Sequence, residues 1–467
     1  MFKDNYKMSN KKVCIIGAGI GGLTAGALLT KHGYTVKIFE KEPYIGGRAL
    51  TFDASSLSFE DYKKLLSRFN MNVAFSEPSL KDIFNKKLLN GYKLDLGYHA
   101  IGGGVFSNVN NVLSEFNDHI DILESRVGLI EENDFRFPFL SNIDKLKIFP
   151  KILRLLYASE SKLKQLDNVS MTDTIKKYGK GKMKLILEIF SRSITTINNL
   201  DIISTGEMFR AQRNLFKGSK PVGYPKDGLS SITKKFADYI TRNGGEINLG
   251  KNVKKIIIKD NKAVGVKVDE KEVYFGIIIS NILVQDLFKL ADEKYFPKKY
   301  VKDIKSLIGT GSLCAYYSLK KIDKNLIGKT FHFIERDIGI DGNDAVGMID
   351  FMATCEDAGL SPKGQYLVQS YIICTPNEAR DEKILKKLKI LLDKNLKKLV
   401  SDYKENLNWA IYPAIWHLDG VGKTIHNIKP EIKTPIDNLY LIGDCVKAPG
   451  IGFNCALNSA RILYNII

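Results

Sequence analysis

An α/β fold is what this sequence predicts, and three observations carry the prediction. The segment Lys12–Ile16 (KVCII) is a short apolar run that passes through Gly17, Ala18, Gly19, Ile20, Gly21 and Gly22 into a helical stretch, LTAGALLTKH, closed by Gly33. That reads as strand, glycine turn and helix. Residues 34–39 (YTVKIF) alternate as a strand does and deliver Glu40, 18 residues after Gly22. Near the other end, residues 438–442 (NLYLI) form a third apolar strand that runs into Gly443 and Asp444. Strands that alternate with helices in this way pack as a parallel sheet covered by helices.

Composition agrees with a large folded chain. At 467 residues there is enough length for two or three structural units, and 44% hydrophobic with 26% charged residues is a globular balance. No uninterrupted apolar run approaches the ~18–20 residues that cross a bilayer. Residues 1–10 are polar and lack the order of a secretory signal, so cytoplasmic residence is expected. The six cysteines show no CxxC pair and no histidine at ligand spacing, which predicts free thiols and no metal. A net charge of +18 would suit an anionic surface. Few of the 70 basic residues are arginine, however, and the lysines are spread along the chain, so nucleic acid is not an expected partner.

The glycine turn has a physical reading of its own. Gly17 permits the tight turn, Gly19 lets backbone approach a pyrophosphate, Gly22 lets helix and strand pack closely, and the helix start can hold phosphate oxygens. A carboxylate at Glu40 can accept both hydroxyls of an adenosine ribose and would repel a 2′-phosphate. The expected contacts here are Gly17, Gly19, Ile20, Gly21, Gly22, Glu40 and Lys41.

After Glu40 the chain reads KEPYIGGRA, and residues 13–48 resemble the FAD fingerprint of the flavin amine oxidase, phytoene desaturase and protoporphyrinogen oxidase superfamily. The resemblance implies FAD as cofactor. It implies a Rossmann-like FAD-binding domain of the glutathione-reductase-2 type with a discontinuous α+β substrate domain. Gly46 and Gly47 would give backbone freedom near the diphosphate, and Arg48 would offer it a cation. Residues 438–463 resemble the closing flavin motif of the same superfamily, in which Asp444 would accept ribityl hydroxyls and a helix starting near Gly452 would aim amides at the flavin's pyrimidine edge. A third stretch, 225–268, also resembles it and would place the backbone of Val253 against the adenine. No second GxGxxG unit is present in the sequence, so no dedicated NADPH site is expected.

The resemblance assigns 1–105, 220–290 and 410–467 to the FAD domain, and 106–219 and 291–409 to the substrate domain, with a candidate helical lid at 53–88. Within LDLGYHAIGGG (94–104), which resembles the segment running beside the isoalloxazine, His99 is either a proton acceptor or a histidine bonded to backbone. Phe453 stands where amine oxidases carry one ring of an aromatic cage, although an aromatic beside small residues is more often ordinary packing. Residues 137–159 mix Phe137, Phe139, Phe149, Ile152, Leu153 and Leu156 with Lys145, Lys147, Lys151 and Arg154, as a helix resting on anionic membrane or packed on the substrate domain would.

The resemblance implies a desaturase-like dehydrogenase that passes hydride from a lipophilic or cyclic organic substrate to flavin N5, then electrons to a quinone or another acceptor. The alternatives it leaves open are a flavin amine oxidase, an FAD-dependent polyene isomerase, and a non-catalytic prenyl-protein binding module of the GDP-dissociation-inhibitor type.

Overall fold

Lys12–Ile16 lies at the centre of a five-stranded parallel sheet, in the spatial order Glu246–Asn248, Thr35–Phe39, Lys12–Ile16, Ile277–Ser280, Leu439–Leu441. Every residue of the central strand after Lys12 is buried, as a parallel strand flanked on both sides must be. The helix Ile20–Lys31 follows it and packs against the helices Ser230–Arg242 and Gly452–Tyr464. Gly26 sets how closely it lies on the sheet, since a Cβ there would meet Ile240 and Ile38 at 2.9 Å. A three-stranded meander, Val253–Lys259, Lys262–Val268 and Lys271–Tyr274, adjoins this unit. Its first turn is made by Asp260 and Asn261, both at positive φ. The computed structural model describes residues 11–97, 100–144, 146–147, 150, 157–213 and 220–467.

The second large element is an eight-stranded, mostly antiparallel sheet. Its order is Met71–Glu77, Leu407–Ile415, Gly311–Leu319, Tyr366–Cys374, Ala345–Asp350, Thr330–Glu335, Val127–Ile130, Phe135–Arg136. One face is covered by the helix Glu382–Leu399, started by the Asp381 carboxylate, which accepts from the amides of Lys383 and Ile384. Leu385, Leu388, Leu392, Leu396 and Leu399 form its buried stripe over Phe331, Phe333 and Ile372.

Three expectations meet this sheet. The 53–88 segment does contain helices, Phe59–Arg68 and Leu80–Asn85, but between them Met71–Glu77 is an edge strand paired antiparallel with Leu407–Ile415. Met71–Glu77 is stitched into the sheet, and Arg68, Phe69 and Asn70 just ahead of it line the central cavity. Leu407–Ile415 itself is one of the sheet's inner strands, so a boundary at 410 cuts through an element. In the 137–159 segment Phe137 packs on Phe331 and Phe139 on Phe190. Lys145, Phe149, Lys151, Ile152, Leu153, Arg154 and Leu156 lie outside the described residues. Among the described residues no helix is long and apolar enough to cross a membrane, and no group of three His, Cys, Asp or Glu side chains could hold a metal ion.

Candidate functional site

The glycine turn is held open by its own backbone. Gly17 sits at φ +99°, and a Cβ on Gly22 would come within 2.1 Å of the Gly17 carbonyl oxygen, so both positions exclude a side chain. The helix after the turn starts at Gly19 with no side-chain cap. Its first amides are therefore left to the cavity that Gly19, Ile20 and Gly21 line, which is the donor set a diphosphate requires.

Glu40 ends the next strand. Its main chain is tied down on both sides, Glu40 N donating to Asn248 O at 2.9 Å and Lys251 N to Glu40 O at 2.7 Å, which brings Val253 beside it. Its buried carboxylate accepts from the amides of Ala18 at 2.7 Å and Glu42 at 3.0 Å. Burial pushes the Glu40 carboxyl up, and the two amides only partly offset that. With one amide on each oxygen, the remaining lone pairs are free to accept sugar hydroxyls.

Gly46 and Gly47 close over the turn. Gly46 N donates to Ala18 O at 2.8 Å, and a Cβ on Gly47 would touch Gly19 Cα at 3.4 Å. They deliver Arg48 to Asp444, from the far end of the chain. Arg48 Nη2 donates to both carboxylate oxygens at 2.7 and 2.8 Å, and Nη1 donates to the carbonyls of His417 and Leu418. Gly420 N adds a third donor to Asp444 at 3.0 Å. Burial alone would raise the Asp444 carboxyl, but Arg48 beside it holds it well below the usual carboxylate range. The two residues expected to serve the cofactor separately thus first serve each other. A second helix, Gly452–Tyr464, begins here, also without a side-chain cap, and presents Gly452 and Phe453.

One continuous cavity of about 700 Å3 joins these parts. Of the expected cofactor contacts, Gly17, Gly19, Ile20, Gly21, Glu40, Lys41, Gly46, Gly47, Arg48, Val253, Gly443, Asp444, Gly452 and Phe453 all line it. Gly22 stands behind the turn, and His99 lies outside the described residues. Uncapped helix starts, glycine faces without Cβ and a buried carboxylate suit a dinucleotide, and the second helix start suits a ring that gains negative charge; the residues present fit FAD.

Sequence reasoning missed two groups. Asn281, just past the strand Ile277–Ser280, covers the glycine turn; its amide donates to Gly17 O at 3.3 Å, and a Cβ on Gly21 would meet its Oδ1 at 2.6 Å. The other group is at the far end of the cavity, where His332, Met348 and Tyr371 form a row across three neighbouring strands, His332 opposite Met348 and Met348 opposite Tyr371. Phe190, Ser193 and Ile194 of the helix Lys182–Thr195 face them. Alternation held the signal for His332: in TFHFIE, Phe331 and Phe333 turn toward the helix-covered core, which leaves His332 on the cavity face. Burial pushes its imidazole down to about 4, so it is neutral near pH 7.

Comparison with known proteins follows this geometry. The family described as flavin containing amine oxidoreductase matches residues 20–462. An uncharacterised protein of Methanocaldococcus jannaschii is 26% identical over 62% of this chain and 62% of its own length. The 1-hydroxycarotenoid 3,4-desaturase of a Flavobacterium species is 24% identical over 67% of this chain and 64% of that one, so the chain spans less than two thirds of either relative. Among solved structures, an oxidoreductase of Methanosarcina mazei superposes with a TM-score of 0.72 at 20% identity, covering 97% of this chain and 100% of that one.

Proposed function

The chain belongs to the family of flavin-containing amine oxidoreductases and takes FAD as its cofactor; on that premise we propose that it is a dehydrogenase of neutral, lipophilic organic substrates rather than of amines. One observation carries this choice. Five acidic residues line the cavity, and each is already engaged: Glu40 by two amides, Glu42 by Arg68, Asp286 by Lys289, Asp419 by Lys423 and Asp444 by Arg48. The far end is lined by Phe190, Ile194, Val222 and Met348, and Asp419, whose charge bears on Tyr371 there, is the acid already paired with Lys423. An ammonium brought into it would lose water and gain no counter-charge, which is costly.

FAD supplies the two-electron acceptor, taking hydride from a substrate C–H. The protein's own part is to grip and orient. The amides at Gly19–Gly21 and Gly452 would meet the cofactor's negative charge, Glu40 its adenosine sugar and the main chain of Val253 its adenine, while Arg48 fixes Asp444, whose remaining lone pairs would accept hydroxyls of the cofactor's ribityl chain. The apolar far end excludes water from the reacting carbon. His99 remains the proposed acceptor of the proton lost beside the hydride, and a quinone or another oxidant takes the electrons afterwards. The 137–159 segment is proposed to meet an anionic membrane surface from which such substrates are drawn.

The test is anaerobic. FAD-loaded protein is mixed with a panel of polyenes, cyclic dienes, porphyrinogens and amines while the flavin absorbance is followed. Bleaching by a neutral lipophile and by no amine is the expected result. Bleaching by amines, abolished in Phe453→Ala, would transfer the protein to the amine oxidases, and a product of unchanged mass would make it an isomerase. Protein that cannot be loaded with FAD would revive the prenyl-protein binding module.

A further inference from the structure

Within the largely apolar far end of the cavity three polar side chains converge. Ser193 Oγ lies 3.2 Å from His332 Nδ1 and within hydrogen-bonding reach of the Tyr371 hydroxyl. They come from three separate elements, the helix Lys182–Thr195 and the strands Thr330–Glu335 and Tyr366–Cys374. Nothing in the nucleotide-binding half calls for them. Packing alone would favour apolar residues here, since a buried polar group without a partner is costly.

We propose that Ser193, His332 and Tyr371 form a recognition site for a neutral oxygen function, a hydroxyl or carbonyl, carried by an otherwise lipophilic substrate. The inference rests on the reading of this end of the cavity as the substrate's. Three features define the ligand chemistry. His332 is buried and its imidazole is pushed down to about 4, so it offers one donor and one acceptor nitrogen and no charge. Ser193 occupies Nδ1, and among the described residues Nε2 has no protein partner. Burial also pushes the Tyr371 hydroxyl up, which keeps it protonated and able to donate. A carboxylate would be repelled by the Asp419 charge that bears on Tyr371, and a protonated amine would find that carboxylate already paired with Lys423. An alcohol or ketone matches both donor and acceptor. A plain hydrocarbon of the same size would desolvate the cluster and return nothing, and sites built to bond a substrate oxygen reject analogues that lack it.

Met348 sits between His332 and Tyr371 in the strand row and supplies an adaptable apolar floor beside the polar pair.

The experiment uses FAD-loaded protein and two ten-carbon probes of similar size, geraniol and the hydrocarbon myrcene, with dissociation constants measured by calorimetry. Geraniol is expected to bind at least about tenfold more tightly than myrcene, a difference of ~1.4 kcal/mol. Ser193→Ala and His332→Phe should bring geraniol down to the myrcene value and leave myrcene unchanged, with FAD content and melting temperature as wild type. Ser193→Ala, the smaller change, carries the test if His332→Phe fails to fold. Equal binding of the two probes, no binding of either, or a parallel loss of both in Ser193→Ala would overturn the proposal. The outcome is independent of turnover: a geraniol preference that the variants abolish, in a protein whose flavin no compound bleaches, sinks the dehydrogenase reading and leaves this site standing.

Discussion

The two ends of the cavity are built from different materials. At the nucleotide end the lining is largely main chain, the amides of Gly19 to Gly21, the turn at Gly17 and the start of the strand Val253–Lys259, with the Glu40 carboxylate among them. At the far end it is made by side chains, Ser193, His332, Met348 and Tyr371, drawn from elements more than a hundred residues apart in places. Backbone contacts demand the absence of side chains and therefore write glycine into a short stretch of sequence. Side-chain contacts demand only that distant strands share a face, and that leaves no local trace. The first kind fixes which cofactor a chain holds, and the second leaves its substrate free to change.

The sharpest way to break this contrast is to add one carbon to the turn. Gly22→Val should cost about 3 kcal/mol or more, because the new Cβ meets a carbonyl rather than a movable side chain. Urea unfolding and the flavin content of the purified protein measure it, and a stable, fully loaded variant would show that the turn is not held by backbone. Next in size is the ion pair that joins the halves of the site. Asp444→Asn leaves Arg48 half-buried without its partner and should lower stability at pH 7 by about 2 kcal/mol. Because the folded Asp444 carboxyl is held below its ordinary value, the stability it lends is present above about pH 4 and lost as pH falls. The acid limb of the wild-type stability profile should therefore flatten in the variant.

Glu40→Gln keeps the shape and removes the charge. FAD affinity, read by flavin fluorescence on titration, should fall by about tenfold, ~1.4 kcal/mol. The smallest effect is expected at Asn281→Ala, which removes a single long hydrogen bond to Gly17 and should weaken FAD by about threefold, under ~1 kcal/mol. If Asn281→Ala proved worse than Gly22→Val, side chains and not backbone would govern the nucleotide end as well.

How much of this was legible follows the same division. The strands Lys12–Ile16, Thr35–Phe39 and Leu439–Leu441 and the helix between the first two stand where apolar runs and glycines place them. The strands Gly311–Leu319 and Tyr366–Cys374 and the helix Glu382–Leu399 coincide with the apolar runs of residues 312–319 and 365–374 and with a leucine stripe of helical spacing, signals of the same local kind. Met71–Glu77 falls within the candidate helical lid although Met71, Val73 and Phe75 alternate with Asn72, Ala74 and Ser76 as a strand's residues do; what lay out of reach was its partner, Leu407–Ile415, far along the chain. Arg48 and Asp444 were each singled out, yet their pairing was hidden, since 396 residues of chain separate them and only the closed sheet brings them together. His332 was passed over for want of a neighbour in sequence; its partners, Ser193 and Tyr371, are neighbours only across the folded sheet.

That bond between residue 48 and residue 444 also orders events during synthesis. A growing chain makes the glycine turn long before the edge strand Leu439–Leu441 and the carboxylate behind it. Until then Arg48 has no anion to face. A chain cut short before Leu439 therefore carries the start of a cofactor cradle and lacks the carboxylate that braces Arg48.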